Sequence, residues 1–264
     1  MLVCLTWVGL TVHSGWKMYE EALLELPLEE KVAQVISQPD FTAFSELPDT
    51  YVDAVLAVED RNFYKHHGIS LRATGRAIIR NFQDGALVEG GSTITQQLAK
   101  FWYFELDKRF DRKVAELLMA FNLEKNYEKE EILEFYVNSI YFGSGYYSIH
   151  DAAMGYFGVA PGEMNAYQCT MLAGIPNAPS VYSPDVNPDL AEQRRQQVIH
   201  CMELYGYIEE GVIEKERYSY GFIQKKRGER ANCSELQNRS LKKRSGNRCV
   251  QPGRRWVSYH QCRR

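Results

Sequence analysis

The chain has 264 residues, 45% apolar and 25% charged, with a net charge of −3. That balance fits one globular domain with appendages, so no second catalytic domain is expected within it. Its six cysteines show no metal-ligand spacing, and a chain with this much core needs no disulfide framework. Buried thiols are therefore expected at Cys169 and Cys201.

The charge is unevenly spread. From Gln224 to Arg264 thirteen Lys and Arg stand against two Glu, leaving 18 basic against 32 acidic residues in 1–223. Few apolar residues and no period in 224–264 predict a basic, disordered tail, able to lie on anionic lipid headgroups or simply to be solvated. Ser240 to Lys243 spells Ser-x-x-Lys, but with no Lys-Thr-Gly in the chain it reads as coincidence.

At the other end, Leu2 to Val12 is apolar and shorter than the ~20 residues that span a bilayer. It also lacks the positive flank that orients an anchor. Residues 1–17 are read as a partial membrane anchor, with Trp7 and Trp16 suited to the interface. The body is then 18–223. Met18 to Ser37 is acidic and partly amphipathic, Pro39 breaks it, and Pro48 with Asp49 offers the next helix start. Apolar steps of three and four predict helices over Thr50–Val58, Leu71–Phe82, Thr95–Phe104, Arg112–Lys125, Lys129–Ile140, Ile149–Tyr156, Ala166–Ala173 and Leu190–Tyr205. No stretch alternates as a strand would. The fold class is all-α, or mainly α.

Two segments carry the chemistry. Glu-Asp-Arg-Asn-Phe-Tyr-Lys-His-His-Gly (Glu59 to Gly68) places a carboxylate at the end of the apolar stretch Ala54 to Val58. Apolar neighbours raise a carboxyl pKa, which suits Glu59 to general-base work, although a surface helix glutamate is the bland reading. His66 and His67, taken as helical neighbours, point about 100° apart and fit structural hydrogen bonds better than a shared metal, with Gly68 as a helix cap. Gly-Gly-Ser-Thr-Ile-Thr-Gln-Gln-Leu-Ala-Lys (Gly90 to Lys100) predicts a turn and a helix start, Thr93 and Gln96 forming a capping box. Open backbone N–H groups there, with Ser92, Thr95, Gln96, Gln97 and Lys100, would suit an anion. Arg112 and Lys113 lie four and three residues before Glu116 on one helix face, an arrangement fit for orienting cations, a metal or a leaving group rather than taking a proton. Lys108 and Arg109 precede that helix.

These segments, followed by Arg-Lys-Val-Ala-Glu (Arg112 to Glu116), Ile-Leu-Glu-Phe-Tyr-Val-Asn (Ile132 to Asn138) and Leu-Ala-Gly-Ile-Pro-Asn-Ala-Pro-Ser (Leu172 to Ser180), resemble the five ordered motifs of the peptidoglycan glycosyltransferases. That family comprises monofunctional transglycosylases and the glycosyltransferase domains of class A penicillin-binding proteins. The resemblance covers about residues 35–215. It implies a lysozyme-like fold with a large lobe and a smaller, membrane-facing one, so that 18–223 is the glycosyltransferase domain. It also implies polymerisation of lipid II into β-1,4 glycan strands with inversion and release of undecaprenyl diphosphate.

By the same resemblance Glu59 is the base and Glu116 the second essential glutamate. Ser92, Thr95, Gln96, Gln97, Lys100, Lys108, Arg112, Lys113 and Asn138 are the candidate substrate-binding residues; Asn138, with Tyr141 and Gly143, also fits a structural part in the cleft floor. Phe101 departs from the family's usual Asn, and Lys108 from its usual Arg. No cofactor is required, a divalent cation (Mg or Mn) being an optional assistant. Expected partners are lipid II, the growing strand, membrane lipid and other cell-wall synthesis or division proteins, not nucleic acid. The expected location is the outer face of the bacterial cytoplasmic membrane. A lysozyme-like peptidoglycan hydrolase is the alternative enzyme, which the cationic cluster disfavours because hydrolysis has no diphosphate to stabilise. A catalytically silent lipid II-binding scaffold is the alternative outside enzymes.

Overall fold

A computed structural model describes residues 2–70, 91–104, 111–209 and 213. The predicted helix Leu71–Phe82, Lys108 and the basic tail lie outside the described residues. Within them the chain is helical, without a strand: α1 Leu2–Glu25, α2 Leu28–Ile36, α3 Asp49–Glu59, α4 Ile94–Ala99, α5 Arg112–Asn126, α6 Lys129–Val137, α7 Ile149–Phe157, α8 Ala166–Gly174, α9 Pro179–Tyr182 and α10 Pro188–Leu204. Most predicted helices fall within a few residues of these.

Two differences matter. The run predicted as one helix over Thr95–Phe104 changes at Lys100 from α to a π turn, Lys100–Phe104. The wider turn buries Trp102 and Phe104 while leaving Phe101 and Tyr103 partly open, which one α-helical face could not do for four aromatics in sequence. Residues 66–68 are also not helical. Phe63–Lys65 is a short 3-10 turn, His66 is extended, and Gly68 has φ +82°, where a Cβ would stand 3.1 Å from the Ala120 carbonyl oxygen, so it is a turn glycine rather than a helix cap.

One core forms around α8. Tyr167 through Gly174 are all buried, because α3, α7 and α10 pack against different sides of the helix. Gly174 lets α10 in: a Cβ there would stand 2.9 Å from Arg194 Cγ and 3.3 Å from Val198 Cγ2. A second core joins Ile94, Leu98 and Ala99 of α4 to Ala115, Met119, Ala120 and Leu123 of α5 and to Ile132, Leu133, Phe135 and Tyr136 of α6. Each fully buried aliphatic or aromatic side chain there contributes about 1.5–3 kcal/mol.

The backbone does not break at residue 17, since α1 runs through it. That helix exposes Trp7, Val8, Leu10, Val12 and Trp16, whereas Gly15 and Met18 are buried. Gly15 seats α1 on α5 beside Val114, and the Ser14 hydroxyl donates to the Asp111 carboxylate just ahead of α5. Among the described residues no helix is long and apolar enough to cross a membrane. Cys169 is buried and Cys201 half-buried, neither in a disulfide.

Candidate active site

Glu59 is the last residue of α3. Tyr51, Ala54, Val55, Leu56 and Ala57 bury one side of that helix against α8 and α10, which carries its end into the protein. Asp60 then leaves helical geometry (φ −157°, ψ 76°) and turns a buried carboxylate toward α4. Its Oδ2 accepts from the Ile94 backbone N–H at 3.2 Å and lies 2.7 Å from His66 Nε2. One acid thus ties the end of α3 to the start of α4, and the structural hydrogen bond expected of His66 or His67 is made by His66.

Gln97, one turn into α4, meets Glu59 across that junction. Its Nε2 donates to Glu59 Oε2 at 2.8 Å, and its own Oε1 accepts from the Tyr136 hydroxyl at 3.4 Å. Glu59 Oε1 is shielded and has no hydrogen-bond partner. Burial raises the Glu59 pKa above the ordinary glutamate value; the Gln97 hydrogen bond and the Arg194 charge oppose it, Asp60 adds to it, and Lys100 opposes it. The direction is the one that apolar neighbours predict, and it suits a group that must take up a proton.

The start of α4 is held by side-chain hydrogen bonds. Thr93 and Gln96 form the predicted capping box, Thr93 Oγ1 accepting from Gln96 N–H at 3.1 Å and Gln96 Oε1 from Thr93 N–H at 3.0 Å. With Asp60 on Ile94 N–H, the backbone N–H groups of Thr93, Ile94 and Gln96 all have side-chain acceptors, and a carboxylate stands beside this helix start. Thr95 is fully buried and donates to Glu124 Oε1 at 2.5 Å, an oxygen that also pairs with Lys129 at 2.7 Å. Thr95 and Gln96 therefore hold α4 in place. The side chains of this segment that stay near the surface are Ser92, Gln97 and Lys100, each partly exposed.

Ser92 belongs to a second cluster. At the start of α5, Arg112 Nε lies 2.9 Å from Glu116 Oε1, and Lys113 Nζ lies 2.9 Å from Glu116 Oε2 and 2.9 Å from Ser92 Oγ. The predicted one-face arrangement of 112, 113 and 116 is thus present, with the carboxylate 3% exposed and the lysine 49% exposed. Such a group offers an anion two cations and a hydroxyl beside a buried counter-charge. Lys100 also lies close enough to Glu59 for its charge to lower the carboxyl pKa.

Asn138 has a different task. Its Oδ1 accepts from Thr42 N–H at 2.9 Å, and its Nδ2 donates to the carbonyls of Thr42 at 2.8 Å and Glu134 at 2.9 Å. Those three bonds fix the loop before α3 to the end of α6, so its structural part is the one the geometry displays. Tyr141 stacks on Tyr147 at 4.7 Å. Among the described residues no group of three or more His, Cys, Asp and Glu gathers as a metal site. Glu116, read from the sequence as a carboxylate that orients cations, faces Arg112 and Lys113.

Two residues near the base were not singled out from the sequence. The Arg194 charge reaches Glu59 while its Nε donates to the Gly174 carbonyl at 3.3 Å. Tyr136 lies inside the fourth motif, but helical period marks it only as core.

The sequence model of the family described as Transglycosylase matches residues 29–203. The chain belongs to that family, the peptidoglycan glycosyltransferases. Penicillin-binding protein 1F of Bacillus subtilis is 45% identical over 166 residues, 63% of this chain and 23% of its own length. Penicillin-binding protein 1A/1B of the same organism is 40% identical over 200 residues, 74% and 22% respectively. A Cupriavidus necator protein with a provisional transglycosylase name is 39% identical over 190 residues, covering 72% of this chain and 82% of that one. The chain therefore spans less than a quarter of those two penicillin-binding proteins and most of the Cupriavidus protein. Family membership accords with the all-α, lysozyme-like class of the helices described above.

Proposed function

We propose that this transglycosylase polymerises lipid II, with Glu59 as general base. Glu59 Oε1 takes the proton from the 4-hydroxyl of the acceptor N-acetylglucosamine. That oxygen bonds to C1 of the donor N-acetylmuramic acid from the face opposite the leaving group, and the C1–O bond breaks with its electron pair going to undecaprenyl diphosphate. Inversion to a β-1,4 linkage follows from the opposite-face attack. A shielded carboxylate with a raised pKa and one unpartnered oxygen is the observation that carries this reading.

The leaving group acquires negative charge as the bond breaks. Arg112 and Lys113, pre-set by Glu116, with Ser92 and Lys100, are assigned to that charge, because positioned donors stabilise it without reorganising. Lys108 joins this assignment on resemblance alone. A substrate with a polyprenyl tail places the enzyme at a membrane, and exposed Trp7, Leu10 and Trp16 on α1 support contact with lipid at the outer face of the cytoplasmic membrane.

Purified protein in detergent with labelled lipid II, beside Glu59→Gln, tests the assignment on a product gel. Polymer from the parent and none from the variant is expected. Release of reducing ends from finished peptidoglycan would move the reading to a hydrolase, and bound but unchanged lipid II would move it to a binding protein.

A further inference from the structure

Tyr136 has a hydroxyl where the packing needs none. The side chain is fully buried among Ile132, Leu133 and Phe135 of α6, the helix that packs against α4, and a phenylalanine would fill the same space. A buried hydroxyl is costly unless it has a hydrogen-bond partner, and the partner of this one is the Gln97 side-chain oxygen, at 3.4 Å. The other end of that amide holds Glu59 at 2.8 Å. Reversing the amide would point a carbonyl at the carboxylate.

We propose that Tyr136 is a positioning residue for the base: its hydroxyl holds the Gln97 amide with the NH2 toward Glu59 Oε2, leaving Oε1 to receive the acceptor's proton. Three elements thereby set one carboxylate, α3 carrying it, α4 gripping it and α6 fixing the grip. Burial raises the Tyr136 pKa far above the ordinary tyrosine value, with Glu59 and Tyr51 adding to it, so the hydroxyl stays protonated and can donate throughout the working pH range. Other groups also face Glu59. Asp60 lies beside it, Lys100 follows α4, Arg194 comes from α10, and the Tyr51 hydroxyl of α3 is near enough to feel its charge. None of these is altered by Tyr136→Phe, so a change in that variant belongs to the amide.

The role depends on Glu59 being the base of the reaction proposed above, and two readouts separate the two claims. In the full chain, kcat/KM for lipid II is followed from about pH 4 to pH 9 for the parent and Tyr136→Phe. Weaker donation to the ionised carboxylate favours its protonated form, so the acidic limb should move up by roughly half to one pH unit. The plateau should stay within about threefold of the parent. Superimposed limbs, or an equal loss at every pH, would overturn the proposal and leave Tyr136 a packing residue.

The second readout needs no turnover and no Tyr136 variant. In the parent, the ring carbon bearing the Tyr136 hydroxyl is expected to shift in carbon NMR with the same midpoint as the Glu59 carboxyl carbon, the latter assigned by its loss in Glu59→Gln. A Tyr136 signal that stays flat through that titration sinks the proposal. If the two signals titrate together while the parent makes no polymer, the coupling stands and the assigned reaction fails.

Discussion

Glu59 and Glu116 are both held by neighbouring side chains, but by opposite means. Glu59 ends a helix, is gripped on one oxygen by a neutral amide and keeps the other shielded and unpartnered. Glu116 sits one turn into a helix with a cation on each oxygen. A carboxylate's work follows from what surrounds it: an amide on one oxygen leaves the other without a partner, whereas a cation on each oxygen makes the carboxylate a holder of those cations.

The largest expected effect separates the two outright. Glu59→Gln keeps the shape and removes the proton acceptor, so lipid II polymerisation should fall about a thousandfold or more, read as turnover in detergent. Polymerisation within tenfold of the parent would break the comparison. Glu116→Gln should lose about ten- to a hundredfold, because Arg112 and Lys113 remain but are no longer ordered; its acidic limb should stay where the parent's is. A limb that moved would mean that Glu116 also handles a proton.

Asn138→Ala sharpens the comparison from outside both sites. Losing the bonds to Thr42 and Glu134 should cost about 2 kcal/mol of stability, measured by chemical denaturation, with an unmoved pH profile in the fraction that folds. Arg194→Gln should give the smallest effect. The arginine's charge favours ionised Glu59, so removing it raises the carboxyl pKa. A base works only when ionised, so the acidic limb should move to higher pH, with a few-fold loss below the parent's limb and little above it. A shift to lower pH would show that Arg194 acts elsewhere.

Much of this was legible along the chain. Apolar steps of three and four marked the helices because burial on one face is what forms them. The sequence spacing of Arg112, Lys113 and Glu116 suffices for their contact, since residues three and four apart are neighbours on any α-helix. Thr93 and Gln96 likewise announce their capping box within four residues. Less legible were contacts between distant segments. Nothing local says that Asp60 would accept from Ile94 N–H at the start of α4, or that Thr95 would turn inward to Glu124. The π turn at Lys100–Phe104 was hidden for a related reason: four adjacent aromatics give no helical period, and their division into buried and open was settled by the helices packed around them.

The sequence by itself determined the helical class, the family, the charged face of α5 and the identity of the carboxylate worth testing first. Each of these depends on residue types at short, fixed spacings. Tertiary structure alone decided that Gln97 grips Glu59, that Tyr136 backs Gln97, that Arg194 lends its charge to the base and that Asn138 holds a loop. These pairs lie between 38 and 135 positions apart, counting Asn138 with Thr42. At that range partners are chosen by which helices share a core, and a buried polar group must find its match wherever the packing leaves one.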